Sequence, residues 1–390
     1  GFWQLLGTFF AEAGFNLIEL AVIIVSAVLL AWILRLVIHR LVRRIVSGAK
    51  EKAQVDDTQA IERSPHYVNG EFQNLIDTPM RTKDTSFAAN VSSMLFDRNP
   101  NLKPSVALPA THVDLKALPQ DEDVVVWMGH SSYFVQLGGK RILIDPVFST
   151  NAGPFPGTNV AFAGTSVYSA EDMPSIDVLL VTHDHWDHLD YPSAKALLPK
   201  VGQVVVGLGV GEFFDRWGYP ADRIHEADWD AVLELVPGLR VHVLPARHYS
   251  GRMLTRNKTL WVAFALETPQ RRLFFSGDSG YGLHFREIGQ RFGGFDLVAL
   301  DMGQYDERWA HIHMFPEQAA QAAEDLRAKA LLPAHVGRFS IAAHDWDAPL
   351  KQIAQASQGR PYRLLTPNPG SLVALDQETQ QFPLWWKSEM

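Results

Sequence analysis

The sequence predicts an α+β fold in which two β-sheets pack face to face with helices outside. Three observations carry that expectation. From about Asp121 onward, short apolar runs of strand length recur along the chain. Amphipathic segments of helical period fall between them. The pair Gly138-Gly139 separates two strand-like runs, as a tight hairpin requires. Strands are expected over 124–127, 133–137, 141–144, 178–181, 204–206, 240–244, 261–266, 273–275, 297–300 and 330–332. Helices are expected over 193–198, 212–217, 285–292, 316–328 and 348–356. The 316 helix opens on Pro316 with Glu317 close behind, a good start signal because proline lacks an N–H that would go unpaired there anyway. No short-period repeat is visible.

Composition narrows the function. The chain has 390 residues, room for one large domain or two modest ones. Its net charge of -8 argues against a broad nucleic-acid-binding surface, so no nucleic-acid partner is expected. There is no cysteine, which excludes disulfides and leaves only His, Asp and Glu as metal ligands.

The N-terminal region reads differently. Residues 13–38 are mostly apolar and carry charge only at Glu19 and Arg35, a stretch of roughly 20 residues or more that would reach across a bilayer as a helix. Arg35, Arg40, Arg43, Arg44, Lys50 and Lys52 follow, which places the C-terminal side in the cytoplasm by the positive-inside rule. An amphipathic helix lying on the membrane is the competing reading, with Arg35, Arg40 and Arg44 on its polar face. The expected organisation is a membrane-anchor helix with a basic flank over 1–47, a linker and extended segment packed on the main domain over 48–120, and a catalytic domain over 121–390. The expected location is the bacterial inner membrane, single-pass, with membrane lipid as a partner and a homodimer as a further expectation.

The strongest chemical signal is Thr182-His183-Asp184-His185-Trp186-Asp187-His188, directly after the apolar run 178–181. Three imidazoles and two carboxylates within six residues, just past a strand end, are poorly explained by packing. Imidazole nitrogen and carboxylate oxygen suit zinc when thiolate is absent. His183 and His185 point the same way if the turn stays extended, and Asp187 and His188 then serve a neighbouring metal. His248, Asp278 and His335 each follow a later apolar run closely. Taken singly, Asp278 reads as a plain turn residue and His335 as a buried structural histidine. Taken with the first cluster, all three read as metal ligands, and Asp278 in its glycine-flanked loop is open enough to bridge two cations. His130, Asp145, Tyr305 and His311 are candidates to support a ligand from behind or to touch substrate. Asp145 reads equally as an acceptor for a ligand histidine and as the start of an Asp-Pro turn. Trp186, Trp309 and Phe315 fit an apolar wall for acyl chains or ordinary packing.

This pattern resembles the ligand set of the metallo-β-lactamase superfamily. Further motifs at Trp127–Ser132, Asp145–Phe148, His248–Arg252, Gly277–Tyr281 and Gly303–Tyr305 are similar to the branch containing N-acyl-phosphatidylethanolamine-hydrolysing phospholipase D and its bacterial relatives. The similarity runs from roughly Asp121 to Pro367. It implies an αββα sandwich of two mixed sheets with the metals at one edge. It implies two zinc ions, or other divalent metals: one held by His183, His185 and His248, the other by Asp187, His188 and His335, with Asp278 between them. It also implies that His313 lies near a substrate phosphate. The chain departs from the branch at Val336, where relatives often carry Trp, which bears on pocket shape and not on metal binding.

The expected activity is a membrane-associated phosphodiesterase that cleaves phospholipids with a metal-bridged hydroxide. Metal binding lowers the pKa of water from 15.7 to about 7, so such a nucleophile exists at neutral pH. Asp187 would orient it and His313 would act on the phosphate or leaving group. The rival expectations are a lactonase or other ester or amide hydrolase of the same fold, and an iron-dependent oxidoreductase.

Overall fold

The computed structural model describes residues 26, 56–80, 82, 99–155, 157–252 and 255–387. Apart from Ser26, the expected membrane helix over 13–38 lies outside the described residues. Among the described residues, no helix is long and apolar enough to cross a membrane.

The described chain begins with helix α1 (Asp56–Arg63) and a small hairpin, β1 (Tyr67–Val68) and β2 (Glu71–Phe72). Then come β3 (Val124–Trp127), β4 (Tyr133–Leu137), β5 (Lys140–Ile144), β6 (Ile176–Val181), α2 (Tyr191–Leu197), β7 (Val201–Gly207), α3 (Gly211–Arg216) and β8 (Ile224–Ala227). The second half holds β9 (Val232–Val236), β10 (Leu239–Leu244), β11 (Ala263–Glu267), β12 (Arg272–Phe275), α4 (His284–Phe292), β13 (Leu297–Asp301), α5 (Pro316–Asp325), β14 (Ala330–Ala334), α6 (Ala348–Ala356), β15 (Arg363–Leu364) and β16 (Leu372–Ala374).

These strands form two seven-stranded mixed sheets, ordered β16-β3-β4-β5-β6-β7-β8 and β15-β14-β13-β12-β11-β10-β9. Each is antiparallel at one side and parallel at the other. The two-sheet sandwich with outer helices is the architecture expected from the sequence.

Strand periodicity explains the layers. In β6, Val178 and Leu180 join the core between the sheets, while Leu179 and Val181 join a second core beneath α2 and α3. Both faces of β6 are thus covered, which is why the strand reads as a continuous apolar run. Gly138 and Gly139 both have positive φ, +56° and +72°, as the expected hairpin turn needs. The phenyl ring of Phe72 is fully buried in the inter-sheet core, so the β1–β2 hairpin packs on the sandwich.

Several element bounds differ from expectation. The strands β8, β9, β15 and β16 had no clear sequence signal. β8 (Ile-His-Glu-Ala) and β9 (Val-Leu-Glu-Leu-Val) are polar or half-exposed edge strands, and β15 and β16 are only two and three residues long. The expected 316–328 helix stops at Asp325 because Arg327 adopts the left-handed conformation, φ +54°. The expected strand over 261–266 starts at Ala263, since the Val262 N–H donates to the Thr182 carbonyl of the other sheet, 2.9 Å away.

The pairing directions fix where function gathers. β3 and β5 both run antiparallel to β4, and β6 runs parallel to β5. β10 and β12 both run antiparallel to β11, and β13 and β14 run parallel to β12. Within each sheet, these strands therefore end at one edge. Every one of them leads directly into a residue of the site: His130, Asp145, His183 to His188, His248, Asp278, Asp301 and His335.

Candidate metal centre

Ligand atoms gather at this edge in three groups, each lying within 4.8 Å; a third, of Asp278, Asp301, His313 and His335, overlaps the two described next. The first comprises His183, His185, His248 and Asp278. His185 Nδ1 stands 2.8 Å from His183 Nε2 and 3.3 Å from His248 Nε2. Asp278 Oδ2 lies 3.8 Å from His183 Nε2 and 3.6 Å from His248 Nε2. The second group comprises His130, Asp187, His188 and His335. Asp187 Oδ2 lies 3.6 Å from His188 Nε2 and 3.2 Å from His335 Nε2. Asp278 reaches this group too, with Oδ1 3.1 Å from His188 Nε2 and Oδ2 3.4 Å from His335 Nε2. Asp278 is therefore the one carboxylate that faces both groups.

These separations fit bound cations. Zinc–nitrogen bonds of about 2.0–2.1 Å in a tetrahedron put neighbouring ligand atoms about 3.3 Å apart. His188 Nε2 and Asp278 Oδ1 are both buried without a well-formed hydrogen bond, a costly arrangement for polar groups unless an ion satisfies them. The donor set is nitrogen and oxygen only, as expected from a chain without cysteine.

Electrostatics separates the two groups. Burial, with the neighbouring His188 and His185, holds His183 well below the usual imidazole range, and burial does the same to His248. Burial lowers His185 to about 4. These three rings are neutral and ready to bind metal. Burial also opposes charge at His188 and His335, but there the carboxylates win. Asp278 and Asp187 push His188 well above its usual value, and Asp278 and Asp301 raise His335 to about 10. Asp187 and Asp278 stay ionised in spite of burial, held far below the usual carboxylate range chiefly by His188.

Supporting contacts orient the rings. Asp145 Oδ2 accepts from His188 Nδ1 at 2.8 Å, and its two oxygens also accept from the Thr182 N–H (2.8 Å) and hydroxyl (2.6 Å). That decides between the two readings of Asp145: it fixes the His188 tautomer. His130 Nε2 sits 2.8 Å from Asp187 Oδ2, a hydrogen-bonding distance, while burial lowers its pKa to about 4. His130 and His335 both adopt the left-handed conformation, φ +57° and +61°. Such strain costs about 1–3 kcal/mol per residue and persists only where contacts over-determine it. Here the His130 N–H donates to Val336, the His335 N–H donates to the His130 carbonyl, and Trp127 Nε1 donates to that same carbonyl, all at 2.9–3.0 Å.

His313 stands beside the metal groups, its ring 5.0 Å from His248 and 5.1 Å from His335. Tyr305 and His311, also candidates from sequence, do not join any of these groups. The Tyr305 hydroxyl donates to Gln352 at 2.9 Å, so its polar end turns toward α6. His311 lies near Arg247, whose charge adds to burial in lowering its pKa.

Sequence reading missed three residues. Asp301 ends β13, is fully buried and contacts both His313 and His335. Its signal was present, an acidic residue at the end of an apolar run, the same rule that found Asp278. Asn74 exchanges two hydrogen bonds with the His248 backbone, 2.8 and 3.0 Å, from a segment with no regular pattern. Arg252 stacks 3.6 Å over Trp186 and donates to the Asp184 and Leu189 carbonyls, pinning the loop that carries four of the candidate ligands.

A family model described as a beta-lactamase superfamily domain matches residues 140–336. The chain belongs to this superfamily. It is a metal-dependent hydrolase of the metallo-β-lactamase type. An uncharacterised protein of Mycobacterium tuberculosis is 34% identical over 330 residues, covering 84% of this chain and 88% of that one. The N-acyl-phosphatidylethanolamine-hydrolysing phospholipase D 1 of Caenorhabditis elegans is 31% identical over 238 residues, 56% of this chain and 65% of the worm protein. That similarity bears out the branch suggested by the motifs. A solved metallo hydrolase of Ignicoccus hospitalis shares the fold, with a TM-score of 0.50, 22% identity, and coverage of 64% of this chain and 97% of that one.

Proposed function

We propose that this superfamily member is a zinc-dependent phosphodiesterase that cleaves membrane phospholipids in the manner of an N-acyl-phosphatidylethanolamine phospholipase D. The observation that carries the reading is the pair of His/Asp groups that Asp278 faces, with His313 beside both in a third group that it forms with Asp301, Asp278 and His335. The similarity to the worm phospholipase supports the substrate class.

In this reading His183, His185 and His248 would hold one zinc and Asp187, His188 and His335 the other, with Asp278 available to both. Bound zinc supplies Lewis acidity toward a phosphoryl oxygen and lowers the pKa of water. The protein does the rest. Asp187, ionised and held by His130 and His335, presents an oriented carboxylate to accept or position a proton of the attacking water. His313 makes no hydrogen bond through Nε2 among the described residues, which leaves that atom for a phosphate or leaving-group oxygen. Water adds to phosphorus, the bond to the head-group oxygen breaks, and the products are phosphatidic acid and an N-acylethanolamine or other alcohol. An N-terminal anchor would keep the site close to its lipid and raise the effective substrate concentration.

The test is mass spectrometry of products after incubating detergent-solubilised, zinc-loaded protein with mixed phospholipids that include N-acylated ones. Phosphatidic acid with a released N-acylethanolamine is the expected result. No lipid turnover by protein shown to hold two metals moves the assignment to a lactone or another small ester, since fold and ligands are common to these activities.

A further inference from the structure

Asp301 carries a separate histidine Nδ1 on each of its two carboxylate oxygens. Its Oδ2 lies 2.9 Å from His313 Nδ1, and its Oδ1 lies 3.2 Å from His335 Nδ1. The Ser279 N–H donates to Oδ2 at 3.2 Å, and the Asp301 N–H donates to the Ser276 hydroxyl at 2.9 Å. The residue is fully buried at the end of β13, so the carboxylate has no freedom to turn away. The two imidazoles lie nearly parallel, 21° between planes.

We infer that Asp301 is a positioning residue that ties the metal side of the site to the substrate side through one carboxylate. The part concerning His313 rests on the function proposed above. Each imidazole gives its Nδ1–H to Asp301, so each turns Nε2 outward. At His335 that Nε2 faces Asp187 and Asp278, where a metal ligand belongs. At His313 it is the atom left for substrate. A histidine bound to metal through one nitrogen needs the other anchored, and a carboxylate is the strongest such anchor. Sharing the anchor means that neither ring can change tautomer or tilt without disturbing the other.

Asparagine at this position keeps one acceptor oxygen and places an NH2 group where the second stood. It can therefore serve one imidazole N–H and must repel the other. The experiment is a long-range proton–nitrogen NMR correlation on the full chain, labelled at histidine nitrogen and loaded with zinc. It is run on the unsubstituted protein and on Asp301→Asn, with zinc affinity and phospholipid kinetics measured alongside. In the unsubstituted protein both His313 and His335 should carry hydrogen on Nδ1. In Asp301→Asn one ring should lose that hydrogen, zinc affinity should fall about 10–100-fold at one site, and kcat should fall with KM little changed. His313→Ala should then cost less in the Asp301→Asn background than alone, because the two changes damage the same unit. A bare Nδ1 on either ring of the unsubstituted protein would overturn the inference without any variant having to fold. So would unchanged zinc affinity and kcat in a folded Asp301→Asn protein. If the unsubstituted protein turns over no phospholipid, the proposed function fails, while the spectra and zinc affinities still decide the role of Asp301.

Discussion

The two sheets contribute to the site in different ways. The first delivers four ligand candidates, His183, His185, Asp187 and His188, from one loop after β6. The second delivers His248, Asp278, Asp301 and His335 one at a time, from four different strand ends. The loop is a local unit whose side chains are near one another because of short sequence separation. The strand-end residues meet only because β10, β12, β13 and β14 end at the same edge. The metal groups cut across this division, since each draws residues from both sheets, and Asp278 serves both. The site is therefore a seam that holds only while the sandwich is assembled.

The sharpest way to break the seam is Asp278→Ala. It removes the carboxylate shared by the two groups and leaves six imidazoles clustered at the edge. Both metals should be lost or loosely held by elemental analysis. Turnover should drop about a thousandfold or more, the loss of a Lewis-acid contribution of several kcal/mol at 1.36 kcal/mol per tenfold. A protein that keeps two metals and full turnover would show that Asp278 is not the shared ligand.

Asp145→Asn tests the loop side alone. It disturbs the acceptor of His188 Nδ1 directly and reaches the first group only through the Thr182 hydroxyl, which lies between Asp145 and His183 Nδ1. Affinity should fall about 10–100-fold for the metal of the second group and by less for the other. Equal loss at both would mean that the groups are coupled more tightly than their separate supports suggest.

The two groups should also differ in their proton balance. His183, His185 and His248 are already neutral at pH 7, so metal entering the first group displaces no imidazole proton. His335 at about 10, and His188 well above its usual value, are protonated in the metal-free fold. Metal entering the second group must expel those protons. Its apparent affinity should therefore rise with pH through the neutral range, up to about tenfold per pH unit for each proton released. The sign follows because protons and metal compete for the same nitrogen. Calorimetry in buffers of different ionisation enthalpy should resolve one binding event with proton release and one without.

The smallest expected effect is at Arg252. Arg252→Ala removes a half-buried guanidinium that donates to the Asp184 and Leu189 carbonyls, so stability should fall by about 1.5–3 kcal/mol. Thermal unfolding measures this. Metal affinity should weaken more for the loop's own residues than for the strand-end residues if the clamp acts locally.

The same division explains what could be read in advance. Ten of the strands were expected from apolar runs, because strands buried on both faces, like β6, leave little choice of residue. Edge strands β8 and β9 escaped because half-exposed positions tolerate His and Glu, which erases the pattern. The loop His183–His188 was legible since its ligand types crowd together. Asp301 was passed over although it sits at a strand end like Asp278, because a lone acidic residue after an apolar run has many ordinary explanations. Tyr305 was credited with a place near the substrate that its contact with Gln352 does not support. Asn74 lies 174 positions from the histidine it clamps, and no local rule connects them.

The sequence by itself determined the chemistry available: imidazole and carboxylate ligands, no thiolate, and a sandwich built from strands too apolar to face water. Those follow from residue type and spacing, which are local. Only the tertiary structure decided which residues share a cation site, that Asp278 faces both groups, and that Asp301 spans from His335 to His313. Those follow from strand direction and register, and register is set by the packing of two whole sheets against each other.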